Sequence, residues 1–578
     1  MAAFFMKGRS RILVLLAAGT LAAVFFILSG SLYNIKDSGG GSRCCRILSS
    51  AELEKLYEQN GQAPFSAGDL IWQGGAVACD EEAALVYLPC SLSFFKETAF
   101  KEDSGEAKAR QSEWESLLSN LMCPEEGSAL YIAEDEKMSD PAAAVREGYR
   151  FAALLMKKKG AVPFHIVVTG LPALCIEKTD SAKIKGKEKH SGSIRMIDCF
   201  SSDLAGVPEG SLSCVFHVRG NVSSTLAKKP YKIALTDGGK DKKKVSWLGL
   251  REDDDWILNP LYTDVTRVRE MTAYALWEET LAFCKHPQVS SRMRYVELFM
   301  DNRYCGLYGL MEPVDKKQLG LSEGDLLYKI DRWDHEDPYA ELYGEKELAG
   351  ETVIKNDKGF KCVEIRWPLS WDKTATWKPM EAFHRFTYKT QDRAVLEEAG
   401  LSADMDSIVS LSLFCGMVHA MDNNWKNTFL IAKKEAGGYS LYRTVWDLNY
   451  VFGDVFVFKP EEGYTAFDAS TASLWSPGED TTDDYDAFLS TDPSLREVMS
   501  EKWAQWRQGG ISAEMVIDLA EKNRRLLEES GSLLREQERW QADGQGESGL
   551  VGQDSMDQMK KWIRERFGYL DDFFRLSS

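Results

Sequence analysis

Between residues 50 and 199, short apolar runs alternate with turns: DLIWQGG, AVACDEEAALVYLPC, SALYIAEDE, FHIVVTGLPALCI and SIRMIDCF. Runs of this length, rich in β-branched and aromatic residues, predict strands, and together they predict a β-rich, sandwich-like accessory module. One amphipathic helix over about 140–158 is expected to interrupt them. From residue 200 to 578 the pattern becomes α+β. SCVFHVRG and PYKIAL read as paired strands around the loop NVSSTLAKK. Asp264 is placed to N-cap a helix carrying Val265, Val268, Met271 and Ala275 at helical spacing. RYVELFMD and YCGLYGLME predict a hairpin that turns at Asp301-Asn302-Arg303. A helix over about 403–421 would carry Ile408, Leu411, Phe414, Val418 and Met421 on one face. A second hairpin follows, TFLIA and YSLYRTVW joined by Ala436-Gly437-Gly438. Residues 461–494 read as an acidic surface loop, and 495–578 as mostly helical around the polar stretch QADGQGESG.

The first residues change this picture. Lys7, Arg9 and Arg11 precede an uncharged stretch, Ile12 to Ile35, close to the roughly 20 residues that cross a bilayer. With the basic flank on the N-terminal side, the positive-inside rule keeps residues 1–11 in the cytoplasm and exports the body. Residues 1–36 are therefore expected to form a basic stub and signal-anchor helix. Cleavage after Ser29-Gly30-Ser31 is the other reading. Either way the body is expected outside the cytoplasmic membrane, single-pass if anchored and secreted if cleaved. Residues 37–49, with DSGGGSR, read as a flexible linker. Export makes disulfides conceivable, with Cys79–Cys90 and Cys199–Cys214 near enough in sequence to consider.

Charge and missing motifs narrow the function. The chain of 578 residues carries a net charge of −19, which disfavours nucleic acid as a partner. No Cys pair sits at C-x-x-C spacing and no H-x-x-x-H occurs, which removes common zinc and redox sites. P-loop and G-x-S-x-G motifs are absent. Gly544, Gly546 and Gly549 match G-x-G-x-x-G only formally, in an acidic loop with no preceding strand.

The informative stretch is MDNNWKNTFLIAKKEAGGYSLYRTVWDLN. Asp422 ends an apolar helix, Asn427 precedes the first strand of a hairpin, and Asp447 follows the second. Residues flanking the open end of one hairpin are neighbours, so Asn427 and Asp447 should meet with Asp422 close by. Phosphoryl transfer needs such a set: a carboxylate to orient or accept a hydroxyl proton, and an amide oxygen and a carboxylate to hold Mg²⁺. Protein kinases use this order, with the same step from base Asp to metal Asn. The spacing also fits a polar turn with an incidental Asp after a strand. A second candidate is RGNVSS followed by KKPYKIAL, where a Gly lets backbone N–H groups approach phosphates and lysines neutralise them. It equally fits a polar hairpin with a solvated lysine face. Glu312, ending the strand GLYGLME, could pair with such a lysine.

The order RGNVSS–KKPYKIAL, DDDWILNPLYTDVTRVREMTAYAL, YVELFMDNRYCGLYGLMEPVD, DNNWKN and WDLNYVFG resembles the CotH family of bacterial spore-coat and surface proteins, over roughly residues 200–500. The resemblance implies an atypical, two-lobed protein-kinase-like fold. It also implies binding of ATP with Mg²⁺ or Mn²⁺ and phosphorylation of Ser/Thr on secreted, coat or surface proteins. By motif match, Asp422 takes the catalytic position and Asn427 and Asp447 the metal positions. Arg219, Lys229, Lys232 and Glu312 fall in the nucleotide region. Where the family often has W-D-L-D, this chain has Trp446-Asp447-Leu448-Asn449, one carboxylate fewer near the metal. The alternative is a non-catalytic spore-coat or surface scaffold that keeps the fold to bind a partner.

Overall fold

Alternation of apolar and polar residues decides which runs become strands and which sheet each joins. The computed structural model describes residues 45–574 apart from 73, 92, 94–113, 115–116, 200–209, 221, 240, 287–289, 331–362, 369–375, 387–392, 424–426, 455–468, 471–492 and 542–554. The expected membrane segment over 1–36 lies outside the described residues. Most of the acidic 461–494 loop and the polar stretch before 550 also lie outside them. Among the described residues no helix is long and apolar enough to cross a membrane.

The N-terminal part contains β1 (Cys45–Leu48), β2 (Ile71–Trp72), β3 (Gly75–Ala76), β4 (Ala78–Asp80), β5 (Leu85–Pro89), β6 (Leu121–Met122), β7 (Ala129–Ala133), β8 (Arg150–Lys157) and β9 (Gly160–Thr169). Six of these form one sheet in the order β1-β7-β8-β9-β5-β4, and β3-β2-β6 form a small second one. The helix Ser50–Gln59 is started by a reciprocal Ser49–Glu52 capping box and lays Leu53 on Ala133, Leu154 and Ala161.

Seven strands then close a barrel: β10 (Ala173–Lys178), β11 (His190–Ile197), β12 (Leu212–Val218), β13 (Tyr231–Thr236), β14 (Asp255–Asn259), β15 (Met293–Met300) and β16 (Arg303–Met311). Their order is β10-β11-β12-β13-β14-β16-β15, closed by parallel pairing of β10 with β15. Strict alternation on β13 sends Tyr231, Ile233 and Leu235 inward, where they meet Phe216, Trp256, Leu298 and Leu310. The β15–β16 hairpin turns at Asp301 and Asn302, both with positive φ as a tight two-residue turn requires.

The third unit is a five-stranded sheet of β17 (Leu326–Ile330), β18 (Val363–Trp367), β19 (Leu401–Ala403), β20 (Thr428–Glu435) and β21 (Gly438–Val445), in the order β18-β17-β20-β21-β19. The helix Met405–Val418 packs on β21 and is buried from Ser407 onward. The helices Arg269–Leu281, Pro493–Gln508 and Ser555–Phe573 surround it, so a helix apolar on every side is enclosed on every side.

Five expectations change. The helix expected over 140–158 stops at Arg146, and Gly148 with φ +58 turns the chain into β8. An apolar run such as FAALLM fits a helix or a buried strand equally, and antiparallel partners on both sides select the strand. The boundary expected at 199/200 passes through the barrel, because β10 and β11 precede it and pair with β15 and β12. The linker expected over 37–49 already contains β1, paired in parallel with β7. Asp264 does not cap a helix beginning at 265. The helix starts at Arg269, whose backbone N–H and guanidinium both donate to the Asp264 carboxylate, at 2.8 and 2.7 Å. Cys79, Cys199 and Cys214 stand as free thiols, so neither sequence-neighbour disulfide is formed.

Candidate functional site

The apolar helix Met405–Val418 ends because His419 takes a left-handed conformation, φ +51, and the Ala420 N–H returns to the Cys415 carbonyl at 2.8 Å. A short 3-10 turn, Met421–Asn423, then delivers Asp422. Beyond it, Asn427 leads into β20, and its N–H donates to the Ile330 carbonyl of β17 at 2.7 Å. Register pairs Thr428 with Val445, so Asn427 and Trp446 face each other across the open end of the hairpin and Asp447 comes next. Both Asn427 and Asp447 are left-handed, at φ +57 and +59.

Two of the three expected residues touch, and the third follows β21 at the same open end of the hairpin. Asn427 Nδ2 donates to Asp422 Oδ2 at 2.8 Å, which leaves the Asn427 amide oxygen as the atom for a cation. The Asp447 N–H donates to the phenol oxygen of Tyr274 at 3.0 Å. Arg219, at the end of β12, lays its guanidinium over the Trp446 ring at 5.5 Å. Burial pushes Arg219 down from its ordinary value, opposed by the nearby carboxylates of Asp447 and Glu270.

The other nucleotide-region residues make their described contacts with different partners. Lys229 Nζ donates to the Ser224 carbonyl at 3.0 Å. Lys232 faces Asp255 at 3.6 Å. Glu312 is buried and pairs with Arg292 at 3.0 Å while accepting the Arg251 N–H at 2.8 Å, so it meets neither lysine. The buried lysine of that stretch is instead Lys228, whose Nζ bonds Glu536 at 2.6 Å beneath the helix Ser532–Gln541.

Sequence reasoning missed Glu270 and Tyr274. They sit four apart on the helix Arg269–Leu281 and therefore share one face. That spacing was the available signal: a Glu one turn from a Tyr inside an apolar repeat. Glu270 is buried and accepts from Asn259 Nδ2 at 2.7 Å. Burial, and next the Asp447 carboxylate, push the Glu270 carboxyl up to about 8. A divalent cation beside a buried carboxyl relieves the cost of its ionisation. Asp447, Asp422 and the Asn427 amide are hard oxygen donors of the kind Mg²⁺ and Mn²⁺ take, so the residues present fit such an ion.

A different carboxylate cluster lies at the start of β14. Oxygens of Asp253, Asp255 and Asp315 come within 4.8 Å of one another. The Lys317 ammonium sits among them, bonded to Asp253, to Asp254 at 2.9 Å and to Asp255 at 3.3 Å. Lys242 and Arg251 add further positive charge, so the cluster is neutralised from within the chain.

No curated protein matches the chain. Residues 216–570, well over half of the sequence, match the family described as CotH kinase protein. That span contains Arg219, the Glu270–Tyr274 face, and the Asp422, Asn427 and Asp447 cluster, and the chain belongs to the CotH family.

Proposed function

We propose that the protein is an extracytoplasmic, membrane-tethered kinase of CotH type that transfers the ATP γ-phosphate to Ser/Thr hydroxyls of secreted, coat or surface proteins. The observation that supports this reading is the Asn427 amide held on Asp422 at the open end of the β20–β21 hairpin, the end that Asp447 also follows. In this reading Asp422 orients the acceptor hydroxyl and takes its proton. The hydroxyl oxygen forms a bond to the γ-phosphorus as the bond to the β–γ bridging oxygen breaks, releasing ADP. Asn427 and Asp447 hold Mg²⁺ or Mn²⁺, which supplies charge neutralisation at the phosphates. Arg219 belongs with them as a phosphate-side cation. Lys229, Lys232 and Glu312 are left to shape the surrounding barrel wall. The two-lobed kinase arrangement is part of the same proposal, the barrel and the five-stranded sheet standing for the lobes.

Calorimetric titration of Mg²⁺- or Mn²⁺-nucleotide tests it. Wild type should bind, Asp447→Ala should lose metal-dependent binding, and Asp422→Ala should bind but fail to transfer label from radiolabelled ATP. A flat wild-type titration would sink the kinase. It would favour the second reading, a non-catalytic scaffold, for which one observation speaks: Asn449 stands where the family often carries a carboxylate, and its buried Oδ1 has no hydrogen-bond partner. The placement outside the membrane rests on the basic flank and apolar stretch of residues 1–36. Protease added to intact protoplasts should digest the body, and full protection would contradict export.

A further inference from the structure

Asn423 lies between the two loops that carry the metal-side residues and is only 2% exposed. Its Nδ2 donates to the Asn427 carbonyl at 3.1 Å and also to the Trp446 carbonyl. Only an NH₂ group can serve two carbonyls at once, so the orientation of this amide is fixed by its surroundings. Its Oδ1 is buried with no hydrogen-bond partner among the described residues, a cost tolerated for the two donor bonds. The Asn423 backbone is itself anchored, its N–H donating to the Ala420 carbonyl at 2.9 Å just past the buried helix Met405–Val418.

We propose that Asn423 is a positioning residue that clamps the two sides of the open hairpin end, setting Asn427 and Asp447 at the separation a shared cation needs. The proposal rests on the phosphoryl-transfer reading. The two clamped positions benefit from holding, because Asn427 and Asp447 both occupy the left-handed region, which Asn and Asp tolerate but do not hold without support from their surroundings. Each is fixed from two directions. The Trp446–Asp447 peptide has its carbonyl on Asn423 and its N–H on Tyr274. Asn427 has its carbonyl on Asn423 and its N–H on Ile330. Asp cannot replace Asn here, since it offers no donor, Ser offers one, and Gln moves the amide outward by a methylene.

Two measurements on the full chain test the clamp: native-state hydrogen exchange at the amides of 427 and 447, and titration with Mn²⁺ at saturating ATP. In Asn423→Ala both amides should exchange at least tenfold faster together while amides inside 405–418 keep their protection. The Mn²⁺ concentration for half-maximal binding should rise about tenfold, and excess Mn²⁺ should restore turnover, which it would not do for a generally damaged fold. Should Asn423→Ala fail to fold, Asn423→Ser keeps one donor and is expected to release one of the two amides. If the wild type binds Mn²⁺-ATP and the variants bind it equally with both amides still protected, the clamp is overturned. If the wild type binds no metal-nucleotide while the amides are released in the variants, the phosphoryl-transfer reading fails and the backbone clamp stands.

Discussion

His419 shows how one residue can set an acid limit on this protein. It is 3% exposed, neither ring nitrogen has a hydrogen-bond partner among the described residues, and its left-handed backbone ends the central helix two residues before the turn that carries Asp422. Burial first, and the Arg566 guanidinium second, push its imidazole down to about 3. The folded protein therefore resists a proton that the unfolded chain takes up near the ordinary histidine value. The stability it contributes is full above that value and is lost as pH falls from about 6.5 towards 3. By pH 4 the loss should be on the order of 3 kcal/mol. Urea unfolding across this range should show a shallower acid limb for His419→Asn, which keeps tolerance for the left-handed backbone. A second residue-scale expectation concerns Tyr274. Tyr274→Phe removes the acceptor for the Asp447 N–H and should cost about 1–2 kcal/mol in stability. It should also weaken Mn²⁺-nucleotide binding measured by calorimetry, because the left-handed Asp447 loses one of its holds. An unchanged midpoint and affinity would mean that the bond carries no weight.

Elements differ in how far their residues announce them. The β20–β21 hairpin was legible because its two apolar strands flank a Gly-rich turn, and from that alone Asn427 and Asp447 could be placed side by side. The approach of Glu270 and Tyr274 was not, since it depends on how one helix docks against a hairpin far along the chain. The strand Arg150–Lys157 was misread as helix because Ala and Leu suit either state, and only its neighbours decide. The close approach of Gly400 to Gly438 was likewise invisible. A Cβ there would fall 1.6 Å from the Gly400 carbonyl oxygen, whereas Gly437 has open space around it. Gly438→Ala should thus lower stability by about 2 kcal/mol or more, seen as a fall in thermal midpoint, and Gly437→Ala should be nearly neutral. Equal effects at both would show that β19 and β21 give way more easily than their close approach implies.

At the scale of the molecule, the N-terminal sheet, the barrel and the C-terminal helices share buried ties. Tyr87 packs on Phe299 and Tyr304, at ring separations of 4.9 and 5.3 Å. Arg535 reaches Glu297 at 2.7 Å and Thr169 at 2.6 Å, with all three side chains buried. Glu297→Gln would leave a buried guanidinium without its counter-charge and should cost about 3–5 kcal/mol. Hydrogen exchange should report the loss in β9, β15 and the helix Ser532–Gln541 together, and a loss confined to the barrel would argue that the units are energetically separate. Closure of the barrel by β10 and β11 has a consequence for what is inherited and what can fold. The span that matches the family opens at residue 216, inside β12, and so begins partway along a stave. Expressed from 216, the chain would lack β10, β11 and most of β12 and present β13 and β15 as raw edges, each ready to pair with another molecule. Such a fragment should aggregate, while the chain from 45 onward stays monodisperse in size-exclusion chromatography. The matched span would then be shorter than the unit that folds, with the missing staves supplied by the residues that precede it.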